Sequence, residues 1–145
     1  MNHLTLVTLH LFAAIFFVGT VFFEVLMLEG IRKHVPRDAM RAVETAIGAR
    51  ARRLMPFAIV ILYAAGITMA WNYRAALANP FASTFATLFS LKILLALSVL
   101  VHFITAVRMG AAGRLTSRHF RAIHLSVFLH VVAIVFLAKA MFYLT

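Results

Sequence analysis

The chain has 145 residues, 64% of them hydrophobic, with a formal charge of +10 from 14 Lys+Arg against 4 Asp+Glu. Its mean hydropathy of +1.00 and its apolar content, against roughly 45–50% in soluble domains, exclude a water-soluble globular enzyme. They point to one membrane domain over residues 1–145. Cysteine is absent, which excludes disulfides, thiolate ligands and iron–sulfur clusters.

The N-terminus has no basic region or small-residue cleavage site, so the first apolar stretch is expected to stay as a membrane helix. That helix covers about 4–27. Three further apolar segments follow at about 55–73, 85–107 and 122–144, each near the ~20 residues that cross the hydrocarbon core. The fold class expected is all-α: an integral membrane four-helix bundle.

Eleven of the 14 cations fall in two connections. Arg32, Lys33, Arg37, Arg41, Arg50, Arg52 and Arg53 lie between helices one and two; Arg108, Arg114, Arg118 and Arg121 lie between three and four. Flanking apolar segments, this is the positive-inside pattern and not a nucleic-acid surface. It puts both basic loops in the cytoplasm and both termini outside. Within the first loop, Pro36-Arg37-Asp38 followed by Ala39, Met40, Ala42, Val43, Ala46 and Ile47 reads as a short amphipathic helix, Asp38 near its start. It would rest on the membrane surface with its arginines among lipid phosphates. Pro56 suits the first turn of helix two, and Asn79-Pro80 marks the turn before helix three.

Lipid-facing sides should be bulky, and helix contacts small or polar. On helix one, His3, His10, Phe17 and Glu24 recur every seven residues beside Ala13 and Ala14, opposite Phe12, Ile15, Phe16, Phe22, Phe23 and Leu26. Helix two gathers Ala58, Leu62, Ala65, Gly66 and Met69. Helix three aligns Leu91, Leu95, Ser98, His102, Thr105 and Met109. Helix four aligns Ala122, Ser126, His130, Ala133, Leu137 and Ala140, with Phe128, Val131, Val135 and Phe142 behind. His10, His102 and His130 therefore face inward.

An ionisable side chain at membrane depth is costly and marks a functional site by default. His102 and His130 fall roughly 9 Å and roughly 4–5 Å from mid-membrane on the cytoplasmic side, and His10 roughly 8 Å on the other side near Met69. His102 with His130, or His10 with Met69, could hold a metal or haem iron. The plain alternatives are hydrogen bonds from the two histidines to Ser98, Ser126 or Thr105, and core packing for Met69. Lys92 could neutralise an anionic group such as a porphyrin propionate. Lys139 would snorkel, Glu24 would pair with a cation, and His3 and His124 would be interfacial. His34 and His119 would be solvated or at headgroups.

Several short motifs together resemble the HemJ-type and CopD-like four-helix membrane proteins. They are Leu9-His10-Leu11 with Phe16-Phe17-Val18-Gly19, Arg53-Leu54-Met55-Pro56 with Gly66-Ile67, and Leu91-Lys92-Ile93-Leu94-Leu95 with His102. The fourth helix adds Arg118-His119-Phe120-Arg121 and the apolar run to Lys139. The chain departs from the HemJ pattern at His124-Leu125-Ser126-Val127, where that family has Asn-Glu-x-Pro. It also reads Phe23-Glu24-Val25-Leu26 where the family has Tyr-Leu-Pro-Arg. The resemblance implies a multi-pass protein of the bacterial inner membrane with haem b as cofactor and porphyrinogen oxidation as the activity. It would make His10 a haem ligand or catalytic residue and give roles to Lys92 and His102.

Two function classes follow. The first is a haem b redox protein, its iron held by His10 or by His102 and His130, acting on a porphyrin or a quinol. The second is CopD-like copper handling, with His3, His10 and Met69 as an entry route. A third, non-catalytic reading has the histidines only joining helices. The oligomeric state is left open, and a unit this small is compatible with a homo-oligomer.

Overall fold

The computed structural model describes residues 2–114 and 116–144, apart from the side chain of Ser117; Met1, Leu115 and Thr145, which the expected domain 1–145 includes, lie outside that description. Every regular element among the described residues is helical. Helix α1 (His3–Phe22) runs without a break into a π-helical turn (Phe23–Leu28) and the short α2 (Glu29–Ile31). Helix α3 (Arg37–Ala70) follows, then a 3-10 turn (Trp71–Tyr73), α4 (Arg74–Ala78), α5 (Thr84–Ala111) and α6 (Ser117–Tyr143). Four stretches are long and apolar enough to cross a membrane: His3–Ile31, Arg37–Ala78, Thr84–Ala111 and Arg118–Tyr143. Contacts group the chain into two compact units, Met1–Trp71 and Asn72–Thr145.

In the first unit α1 and α3 pack antiparallel, as the cross-helix pairs His10 with Leu62 and Arg32 with Glu44 require. The α1 face of Leu6, Ala13, Phe17, Val21, Glu24 and Leu28 is buried, against Met40, Ala58, Ile59 and Ala65 of α3. Phe12, Ile15 and Phe16 are exposed on the opposite side. Asn2 caps α1, its Oδ1 accepting from the Thr5 N–H at 2.8 Å, which satisfies one of the orphan donors of a helix start.

The π turn changes which residue comes next on this face. A plain heptad would carry the stripe from Glu24 to Ile31, but the extra residue of the wider π turn brings Arg32 round instead. Ile31 is exposed, and Arg32 reaches both Glu29 (Nε to Oε2, 3.1 Å) and Glu44 on α3 (Nη2 to Oε1, 2.5 Å).

Two expectations for this half are corrected. The segment from Arg37 to Ile47 is helical but is not a separate short helix; it continues into helix two as a single 34-residue element. Pro56 consequently lies deep inside α3 and not in a first turn. Proline there removes one ladder bond and normally kinks or breaks a helix. The long alanine- and arginine-rich segment on one side and the apolar segment on the other are strong enough helix formers to carry it.

In the second unit α5 and α6 form a helical pair. Ser83 and Thr116 cap them, accepting from the N–H groups of Ala86 at 3.1 Å and His119 at 3.3 Å. Helix α5 ends where Gly113 takes φ +66°, with Arg114 N–H bonded to Met109 C=O at 2.9 Å. This left-handed stop is one that glycine adopts without a Cβ penalty. An aromatic group of Tyr73, Phe85, Phe89 and Phe142 closes the other end, with Phe85 and Phe142 rings 5.8 Å apart. The buried faces match those expected in part: Leu137 and Ala140 are buried and Val135 and Phe142 exposed, while three residues depart. Leu91 and Thr105, expected inside, are exposed, and Val131, expected outside, is buried. Both sides of these helices are apolar, so little contrast was available to fix the rotation.

Candidate functional site

Two polar clusters lie within the apolar helices, one in each unit. In the first, His10 is half-buried on α1 and its Nδ1–H donates to the Leu62 carbonyl of α3 at 2.9 Å. A carbonyl can only accept, so the proton resides on Nδ1 and Nε2 carries the lone pair. The ring comes this close because Gly66, one turn beyond Leu62, has no side chain. A Cβ at Gly66 would stand 3.2 Å from His10 Cε1 and 3.4 Å from Nδ1. A histidine whose Nδ1–H is fixed by a backbone carbonyl has the orientation that metal-ligating imidazoles commonly show. Met69, the expected companion of His10, is half-buried on α3 roughly 4.5 Å further along the axis than Gly66.

The second cluster is a closed cycle. On α5 His102 Nδ1–H donates to the Ser98 carbonyl one turn back, at 2.7 Å. On α6 His130 Nδ1–H does the same to the Ser126 carbonyl, also at 2.7 Å. The hydroxyls then cross between the helices: Ser98 Oγ–H donates to His130 Nε2 at 3.0 Å, and Ser126 Oγ–H to His102 Nε2 at 3.0 Å. Again the carbonyls fix both tautomers, so each Nε2 is an acceptor and each serine hydroxyl the donor. The rings lie 5.4 Å apart at 53°. The geometry follows from a repeated Ser-x-x-x-His on two antiparallel helices, which sets Ser98 level with His130 and Ser126 level with His102.

The remaining residues are placed as follows. His124 is half-buried, with Nδ1–H on the Phe120 carbonyl at 2.9 Å and its ring 4.0 Å from that of Phe120. His119 lies exposed beside its cap Thr116, and His3 and His34 are exposed. Lys92 is half-buried within α5, and residues 72–145 contain no Asp or Glu at all. Glu24 is buried in the π turn, 8% exposed. Lys139 is exposed near the end of α6.

Leu62 and Gly66 were visible as a small-residue face, but nothing in the sequence singled out the carbonyl contact. The Ser-x-x-x-His repeat was a readable signal for the second cluster. Among the described residues no three of His, Cys, Asp and Glu converge as metal ligands.

Comparison with known proteins finds no matching family model, curated protein or solved structure.

Proposed function

We propose that this chain is a haem b-binding redox protein of the bacterial inner membrane, a four-helix bundle of the HemJ/CopD kind with His10 as an axial ligand. The positive-inside distribution supports cytoplasmic basic loops and external termini. The observation that carries the reading is the seating of His10. Its Nδ1–H is held by Leu62, its ring is set in the notch at Gly66, and its Nε2 is the basic nitrogen.

Haem fits this residue set better than a bare ion does. A porphyrin supplies four nitrogens, so the protein need give only one or two ligands, whereas an ion such as copper needs a convergent protein set. No triad of His, Cys, Asp and Glu occurs among the described residues, so copper would need a thioether such as Met69 in its ligand set. His102 and His130 would each have to give up a serine hydroxyl at Nε2 in order to bind iron.

When bound, haem b supplies a one-electron iron couple, its potential set by axial ligands and by the dryness of the pocket. The chain's own residues hold the imidazole in one tautomer, through the Leu62 carbonyl. Lys92, half-buried in a half of the chain without carboxylates, would take an anionic ligand group as its counter-charge. A quinol or a porphyrinogen, each a lipid-soluble hydrogen donor, is the matching substrate class.

Purified protein should show a Soret band and a b-type reduced pyridine haemochrome. Copper in stoichiometric amount without a Soret band would establish the CopD-like alternative instead, and neither signal would leave the histidines as helix contacts.

A further inference from the structure

We propose that the outer face of α3 binds an anionic phospholipid, with the phosphate between Arg50 and Arg53. Helix α3 has 34 residues and is about 51 Å long, against a hydrocarbon core of about 30 Å. Its apolar run begins at Leu54, so the portion before it extends through the headgroup layer. The bridge from Arg32 to Glu29 and Glu44 ties that portion to the end of helix one.

One continuous stripe on the side of α3 away from α1 reads in the order of a lipid molecule. Phe57, Val60, Ala64 and Ile67 are exposed along the membrane portion, with Phe57, Val60 and Ile67 at 71%, 66% and 65%. Exposed Arg50 and Arg53 come next, three residues apart and therefore neighbours on the helix surface. Above them lies a shallow groove of about 530 Å³ lined by Asp38, Arg41, Ala42, Thr45, Ala46 and Ala49.

The chemistry of the stripe selects the occupant. Acyl chains match the Phe57 end, a phosphodiester matches two guanidinium groups, and a small hydroxylated headgroup fits the alanine- and threonine-lined groove beneath Arg41. Glu29 and Glu44 are engaged by Arg32, which leaves Asp38 as the one carboxylate at the groove. A second copy of the chain would bring arginines against arginines, so charge disfavours it. A phosphatidylglycerol-type lipid meets all three zones at once.

The test uses the full chain in neutral detergent, with phosphatidylglycerol and phosphatidylcholine of matched acyl chains added separately. Native mass spectrometry should show phosphatidylglycerol retained in preference. Arg50→Gln with Arg53→Gln should cut that preference roughly 30-fold, since each basic side chain near a lipid surface counts for a factor of about five. Arg50→Lys with Arg53→Lys should keep most of it, which separates charge loss from misfolding, and helicity by circular dichroism checks the fold of both. Equal retention of the two lipids by the unaltered chain would overturn the proposal, as would an unchanged preference in the glutamine variant. Competition by inorganic phosphate as effective as the lipid would assign the site to a free anion. A dimer dissociated by the glutamine variant would assign the face to a second copy.

Discussion

Replacing Ser98 by alanine removes one hydroxyl and with it the donor to His130 Nε2, while the Ser98 carbonyl that holds His102 remains. Cross-helix hydrogen bonds in membrane proteins contribute about 0.6 kcal/mol on average and up to about 1.7 kcal/mol. A buried acceptor left unmet costs about 1–3 kcal/mol; His130 is only half-buried, so the lower end applies and the loss should be about 1 kcal/mol. Ser126→Ala should cost a similar amount through His102. The decisive quantity is the pattern of coupling in double-mutant cycles. Ser98→Ala with His130→Ala, and Ser126→Ala with His102→Ala, should each show coupling of about 0.6–1.7 kcal/mol. The same-helix pairs, Ser98 with His102 and Ser126 with His130, should add within about 0.3–0.5 kcal/mol, because alanine keeps the carbonyl. Reversible unfolding in mixed micelles titrated with a denaturing detergent reads all eight variants. Stronger coupling within a helix than between helices would refute the crossed arrangement.

Gly66→Val should displace the His10 ring and abolish its bond to Leu62, because even a single Cβ there falls 3.2 Å from Cε1. The His10 Nδ1 proton resonance of selectively labelled protein would report this, and an unshifted resonance would count against the notch. Arg32→Gln and Glu44→Gln should each weaken this ion pair, and the double variant should lose less than the two single losses added together. With side chains about one-third exposed (33% and 32%), each single change should cost no more than about 1 kcal/mol after solvent screening. Thermal unfolding at low and high salt checks it, and simple additivity of the two changes would show that the contact does not order the loop.

The four long helices were legible because composition alone demands them: apolar runs of membrane length leave few other folds. The inward face of α1 was legible too, since Phe17 and Glu24 are buried and the phenylalanines opposite are not. Rotation of α5 and α6 was legible only in part: their serines and histidines meet across the pair and Leu137 and Ala140 are buried as expected. Leu91, Thr105 and Val131 depart, because a helix surrounded by lipid has no polar side to identify it. The merging of the loop helix into α3 was hidden by Pro56, whose usual effect is overcome by the helix formers around it. For the site, the serine alternative named Ser98 and Ser126 correctly as partners of His130 and His102; Thr105 takes no part in that cycle. The contact of His10 with Leu62 involves a backbone atom, which no side-chain pattern reveals. The π turn leaves its trace only in the offset between Ile31 and Arg32, too small to read before the partner Glu44 is placed.

The Soret absorbance per mole of purified His10→Ala protein, beside that of the unaltered chain and of His102→Ala, tests the haem reading most directly. Loss of the band in His10→Ala with its retention in His102→Ala is the result the account predicts. Full haem content in His10→Ala would contradict it.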